Sequence, residues 1–353
     1  MKIISRFFQL LCFLIIFITT TSFASQQLII EPDAGREPLL NAIQKAHSSI
    51  DVIMYGLTDS AFTHALIEAK KSGKHVKILL EPEPYRAKDE NIAAIKHLKS
   101  ENIAVQWPSK RFYLTHQKTF LIDQRYAIVL TFNLTHSTFK NQRNFGLIID
   151  DPAMVKEIYA VYEADCQHNP APIGHPDLIW SPDNAQDKIL AFIRSAHSNI
   201  KVYAQDISDY QTVGALARAA RTGVKVQVLT SKKPNGPSKK MAYLQKAGVD
   251  IRISRKYMIH AKVILIDDKK AIVGSINLTT PSLKKNRELA IITQDPNVIA
   301  PLRHTFDQDW EKAKLTESHH QHPHKQRSHN DLQHDLQQIE YWARVALKIL
   351  KNS

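Results

Sequence analysis

Residues 259–280 read IHAKVILIDDKKAIVGSINLTT, and residues 115–136 read THQKTFLIDQRYAIVLTFNLTH. Aligned, the two stretches match His116 with His260, Lys118 with Lys262, Asp123 with Asp267 and Asn133 with Asn277. They part where Leu130-Thr131 stands against Gly274-Ser275. Strand side chains two apart share a face, so each histidine travels with a lysine on one side of an apolar strand. Asp267-Asp268-Lys269-Lys270 reads as a turn, after which Ala271 to Ile276 returns and brings Ser275 and Asn277 back towards the His-Lys end. Each stretch is read as a hairpin that gathers an imidazole, an ammonium, a hydroxyl and an amide at one end.

The repetition reaches beyond the hairpins. Residues 42–82 align with 192–232, placing Ala46-His47-Ser48 on Ala196-His197-Ser198 and Gly73 on Gly223, and Asp151-Pro152 falls on Asp295-Pro296 downstream. Each unit predicts a helix (Pro38 to Ala46; Ala185 to Ala196), a β-rich run (Ser49 to Tyr55; Ile200 to Gln205) and a second helix ending at Gly73 or Gly223. A short strand (Val76 to Leu80; Val224 to Leu229), a further helix (Ile92 to Lys99; Ser238 to Ala247) and the hairpin follow. Strands alternating with helices give an α/β class, with a mixed sheet because the hairpin is antiparallel. The expected organisation is two repeated α/β/α lobes at 25–166 and 178–315, joined by the Pro-rich linker 167–177.

The ends differ in character. Residues 1–24 place Lys2 and Arg6 before an apolar run and finish on Ser22-Phe23-Ala24, which reads as a cleavable export signal; the run is too short to span a bilayer. Residues 316–329 are a His-rich low-complexity segment read as a solvated tract, and 330–353 read as an amphipathic helix with Leu332, Leu336, Ile339, Ala343, Ala346 and Leu350 on one face. A net charge of +13 favours phosphate-bearing partners, nucleic acid or anionic lipid, without choosing between them. Once residues 1–24 are removed Cys166 is the only cysteine, which excludes an intramolecular disulfide and a cysteine-built metal site.

The second hairpin fits the pattern His-x-Lys-x4-Asp-x6-Gly-Ser-x-Asn at every specified position, and both repeats together resemble the phospholipase D superfamily with its HKD motif carried twice. Phosphodiester cleavage by a covalent route needs two imidazoles, one to attack phosphorus and one to protonate the leaving oxygen and then activate water. The resemblance implies a pseudo-twofold bilobal fold that puts both hairpin ends in one cleft. It also implies a phosphohistidine intermediate and neither metal nor cofactor, with Lys118, Lys262, Asn133 and Asn277 as donors to the non-bridging oxygens. Asp123 and Asp267 are read as hairpin or inter-lobe anchors, His47 and His197 as structural. Thr131 keeps the hydroxyl of Ser275, whereas Leu130 puts bulk where glycine lets a backbone approach.

Glu288 follows His260, and Asn144 follows His116, at the same spacing. The expectation is that Glu288 serves His260 and favours its imidazolium, making it the acid, while Asn144 fixes the tautomer of His116 and leaves it free to attack. Phe112, Tyr113, Leu114, Tyr257 and Met258, which precede the histidines, are read either as an apolar entrance or as core. The basic loop Lys232 to Lys240 is a candidate for holding an anionic substrate. The function expected is an exported, monomeric, phospholipase D-like hydrolase acting on phospholipid at a membrane surface, without an obligate protein partner. The alternatives are a nuclease of the same superfamily and a non-catalytic binder of lipid or nucleic acid.

Overall fold

The first repeat runs through β1 (Gln26–Glu31), β2 (Ser49–Met54), β3 (His75–Leu80), β4 (Ala104–Gln106), β5 (Thr119–Ile122), β6 (Tyr126–Leu130) and β7 (Gln142–Ile149). The second runs through β8 (Leu178–Ser181), β9 (Asn199–Ala204), β10 (Lys225–Thr230), β11 (Asp250–Ile253), β12 (Met258–Ile259), β13 (Lys262–Ile266), β14 (Lys270–Gly274), β15 (Glu288–Thr293) and β16 (Lys314–Leu315). These elements come from a computed structural model that describes residues 26–315 apart from 83, 85–88 and 233–237. The expectations for 1–24, 316–329, 330–353 and the middle of the basic loop fall outside the described residues.

The strands form two sheets ordered β1-β7-β6-β5-β2-β3-β4 and β16-β11-β10-β9-β13-β14-β15-β8. Within each, one half is parallel (β2 with β3, β9 with β10) and the other antiparallel (β5 with β6, β13 with β14). This is the mixed, helix-flanked α/β architecture expected, twice over. The strands β2 and β9 are buried on both faces after their first residue, as central strands covered by helices are, and each includes one buried charged residue, Asp51 and Lys201. Helix starts follow the repeat: Asp151 caps Pro152–Cys166 by accepting from Ala153 and Met154 N–H, and Asp295 caps Pro296–Glu311 through Asn297 N–H. Among the described residues no helix is long and apolar enough to cross a membrane.

The hairpin aspartates explain themselves. Asp123 and Asp267 sit at positive φ, and Asp267 accepts the backbone N–H groups of His197, Ser198 and Asn199 at 2.7–3.1 Å, with the Ser198 hydroxyl at 2.8 Å. Asp123 does the same for His47, Ser48 and Ser49. They anchor each hairpin to the first central strand of its own lobe. What the two repeats use at 47 and 197 is the backbone N–H; the His47 side chain is 93% exposed.

Leu130 is accommodated by its neighbour. In the first lobe Leu130 pairs with Gly146, and a Cβ added to Gly146 would lie 2.7 Å from Leu130 Cδ2. In the second the order is exchanged: Gly274 pairs with Ala290, and a Cβ on Gly274 would lie 2.3 Å from Leu289 O and 2.4 Å from Ala290 Cα. The glycine has moved across the ladder, so the first hairpin is repacked and retains its register. Gly146→Ala is expected to destabilise by about 1–3 kcal/mol through overpacking, and Leu130→Gly/Gly146→Ala, which copies the second lobe's pair, should recover part of that loss in a thermal melt.

The lobes share a core. One buried cluster combines Val129, Phe145 and Tyr162 of the first lobe with Leu178, Tyr203 and Phe306 of the second, and the Phe145 and Tyr203 rings lie 5.1 Å apart. β12 leaves the second repeat and pairs in parallel with β7, as Met258↔Gln142 and Ile259↔Arg143.

Candidate active site

The two His-x-Lys ends meet where the lobes meet, and backbone bonds fix them across the join. His116 and Gln117 N–H both donate to Arg287 O, at 2.9 and 3.1 Å, while His260 and Ala261 N–H donate to Arg143 O, at 3.2 and 3.0 Å. The side chains cross in the same way. His116 Nδ1 lies 2.8 Å from Glu288 Oε2, and His260 Nδ1 lies 3.0 Å from Asn144 Oδ1.

This corrects the pairing expected from spacing. Glu288 opens β15, which β14 separates from β13, so the carboxylate stands two strands, roughly 10 Å, from the histidine of its own hairpin. The histidine of the other lobe is nearer. Asn144, opening β7, is separated from His116 by β6 in the same manner and reaches His260.

Each acceptor is held by its own lobe. Glu288 Oε1 accepts from Ser282 Oγ at 2.6 Å and Asn286 Nδ2 at 3.1 Å; Asn144 accepts from Thr131 Oγ1 at 3.0 Å and donates through Nδ2 to Gln142 Oε1 at 3.2 Å. Thr131 Oγ1 also takes Phe145 N–H at 2.9 Å. Ser275, the hydroxyl expected at the His-Lys end of its hairpin, is fully buried and accepts Leu289 N–H at 3.2 Å, so it positions β15 and thereby Glu288. The structure leaves Asn133 Oδ1 and Asn277 Oδ1 buried without a hydrogen-bond partner among the described residues.

The electrostatics follow from burial. Lys118 and Lys262 are buried. Lys262 Nζ reaches Gln205 Oε1 at 2.7 Å and Thr131 O at 3.3 Å, whereas Lys118 Nζ lies 4.9 Å from the Tyr55 ring, which also packs edge-on against His116 with centroids 4.7 Å apart. Burial pushes Lys118 down to about 7 against the pull of Glu288. Burial and the Lys118 charge push His116 down to about 4 despite Glu288; burial, Lys262 and Lys118 hold His260 well below the usual imidazole range. Glu288, which burial alone would raise, is kept low by His116 and Lys118. At neutral pH both rings are neutral, and Nδ1–H on Glu288 leaves the His116 Nε2 lone pair free.

Two buried arginines escaped the sequence reading although the repeat carries them. Arg287 binds Asp165 of the first lobe through Nε and Nη2 at 2.7 and 3.0 Å, and Asp183 of its own lobe at 2.8 Å. Arg143 mirrors it, binding Asp309 of the second lobe at 2.7 and 3.2 Å and Asp33 at 2.6 Å. Phe112 lies beneath Arg287 and Tyr257 beneath Arg143, with ring centroids 4.8 and 4.4 Å from the guanidinium carbons. Phe112 is therefore packing; Met258 is 48% exposed beside His260.

A family model described as "Cardiolipin synthase, PLD-like domain" matches residues 39–166 and 189–310. The chain belongs to the phospholipase D-like family. Among curated relatives, Cardiolipin synthase B of Salmonella typhi is 24% identical over 282 residues, covering 68% of each chain. Phospholipase D of Rickettsia conorii is 37% identical over 127 residues, covering 35% of this chain and 61% of its own. Mitochondrial cardiolipin hydrolase of Danio rerio is 28% identical over 129 residues, covering 36% of this chain and 57% of its own. The match to this hydrolase thus takes in little more than half of the hydrolase's length. Phosphatidylserine synthase of Haemophilus influenzae shares the bilobal phospholipase D-like fold with a TM-score of 0.65 at 12% identity, covering 92% of this chain and 94% of that one.

Proposed function

We propose that this phospholipase D-like chain opens the headgroup phosphodiester of glycerophospholipids, with His116 as nucleophile and His260 as the acid that becomes the base. His260 enters the reaction as the imidazolium, taking up a proton as the anionic phosphodiester binds beside it and raises its pKa. His116 Nε2 attacks phosphorus, and the bond to the headgroup oxygen breaks as His260 delivers that proton to it. His260 then takes a proton from water, whose oxygen attacks phosphorus and breaks the P–N bond, leaving phosphatidic acid and free His116. An alcohol that replaces water gives transfer instead.

The observation that carries this assignment is the His116–Glu288 contact. Nε2-phosphorylation makes the ring a cation, and a carboxylate on Nδ1 stabilises that cation as it forms. The amide on His260 supplies no such charge. The nucleophile expected from sequence is thus kept, for a different reason than the one first drawn. Lys118 and Lys262 are the charges available to the non-bridging oxygens.

A lipid surface is favoured by the rim. Trp107, directly after β4 on the site edge of the sheet, is 40% exposed with Lys99 Nζ 4.9 Å from its ring. Tyr210, opening the helix after β9, is 78% exposed with Lys240 Nζ 4.1 Å away. Aromatic rings beside cations suit an interface of anionic headgroups. The names of the relatives, hydrolase and synthase alike, concern phospholipids and fit either water or an alcohol as acceptor. Reading 1–24 as an export signal would bring the site to lipid outside the cytoplasm.

Headgroup release from phosphatidylcholine or phosphatidylethanolamine vesicles in excess EDTA is the expected result. Degradation of plasmid DNA in EDTA with no headgroup release would replace the lipid reading with the nuclease, and binding of either without turnover would leave only a binding protein.

A further inference from the structure

Asn144 and Glu288 occupy the same place in the two lobes, and each has a directly opposed residue on the next strand. Opposite Asn144 in the β1–β7 ladder stands Glu31; opposite Glu288 in the β8–β15 ladder stands Ser181. Opposed residues of antiparallel strands lie on one face with Cβ atoms roughly 5 Å apart. Each lobe therefore keeps one carboxyl in this pair, on β15 in the second lobe and on β1 in the first.

The setting of Glu31 is unusual for an acid. It is fully buried; Oε2 accepts Gly35 N–H at 3.1 Å, and Oε1 has no hydrogen-bond partner among the described residues. The nearby Arg143 spends its guanidinium on Asp33, Asp309 and the Glu31 backbone oxygen. Packing alone does not call for a carboxyl here, since Ser181 fills the equivalent place and donates to Ser282 O. A buried acid with an idle oxygen is costly, and burial pushes its pKa up to about 8, with Asp33 adding to the rise and Gly35 N–H, Arg143 and Arg36 opposing it.

We propose that Glu31 is a positioning residue for His260, acting through Asn144, and is the first lobe's counterpart of Glu288 moved one strand away from the ring it serves. His116 then faces a carboxylate that is ionised throughout the working range. His260 faces a neutral amide with a second carboxyl behind it, charged only on the alkaline side. The charged groups around Glu31 are Asp33, Arg36 and Arg143, with Asp309 reached through Arg143; those around His260 are Lys262, Lys118 and His116.

The sign is fixed by electrostatics. A bound phosphodiester sets a negative charge against His260 and raises its pKa from the low value of the empty site. Ionised Glu31 adds negative charge behind Asn144, so in the substrate complex the acid form of His260 persists further into alkali than it would without Glu31. Glu31→Gln removes that charge and should bring the alkaline limb of kcat for headgroup release from phosphatidylcholine, a diester whose alkoxide leaving group needs the proton, down by about 0.5–1 pH unit. This kinetic arm rests on the phosphodiesterase reading.

The second arm does not. In full-length protein labelled at histidine, the His260 ring signal, assigned with His260→Asn, should show an inflection near pH 8 that Glu31→Gln removes, leaving any inflection due to Lys118 in place. A His260 titration unchanged by Glu31→Gln would overturn the proposal. Glu31→Ser/Asn144→Glu transplants the second lobe's pair and should raise the His260 pKa; a folded double variant that leaves it unmoved would overturn the proposal equally. Wild-type protein that fails to turn over the diester while the NMR inflection behaves as described would sink the phosphodiesterase reading and leave the role of Glu31 standing.

Discussion

His260→Asn, given a phosphodiester with a p-nitrophenyl leaving group, should release about one equivalent of p-nitrophenol and then stall with phosphate on His116. A good leaving group needs no proton, so the first step survives loss of the acid; the second does not, because no imidazole remains to activate water. Steady-state turnover should fall on the order of 10⁴-fold, and mass spectrometry should find the adduct on His116. His116→Asn should lose turnover to at least the same extent with no burst. An adduct on His260 in the His116→Asn protein would reverse the two roles. It would also require the Glu288 contact to serve the acid, which is how a carboxylate on Nδ1 was first read.

The second large effect concerns Arg287. Its guanidinium is fully buried between Asp165 of one lobe and Asp183 of the other, and its backbone oxygen holds the N–H groups of His116 and Gln117. Arg287→Ala strands Asp165 without a counter-charge and is expected to cost about 3–5 kcal/mol, visible as a drop of several degrees or more in Tm. Activity should fall further than folding explains, because Glu288 is the next residue. Replacing both partners, Arg287→Met/Asp165→Leu, removes the unpaired charge and should restore much of the stability. If the double variant is no more stable than Arg287→Ala, the loss comes from shape and not from the stranded carboxylate.

Much of this site could be read before any coordinates. The repeat, the hairpins and the His-x-Lys faces follow from period and spacing, since a strand offers every second residue to one side. Asp123 and Asp267 could be placed at turns for the same reason. The partner of Glu288 could not. Spacing along the chain is identical in the two repeats and says nothing about which side of the pseudo-twofold a side chain faces; that depends on β14 standing between β13 and β15. The arginine clamps were within reach, because Arg143 aligns with Arg287, Asp165 with Asp309 and Asp33 with Asp183. They were missed because a lone arginine in a polar-looking segment gives no hint that it is buried. Glu31 and Ser181 lie on strands not anticipated, and only the ladder register shows what they oppose.

The crossing of Glu288 and Asn144 has a consequence for how such a site can exist at all. Were the two lobes separate copies of one sequence joined about a true twofold, every histidine would meet the same acceptor: two carboxylates if both were the second lobe, two amides if both were the first. The rings would then be chemically indistinguishable before substrate arrived, and substrate alone would have to decide which attacks and which gives the proton. Joining the copies in one chain lifts that obligation of symmetry. It lets a single substitution on one side alter the histidine on the other, so that the two rings arrive at the phosphodiester already assigned.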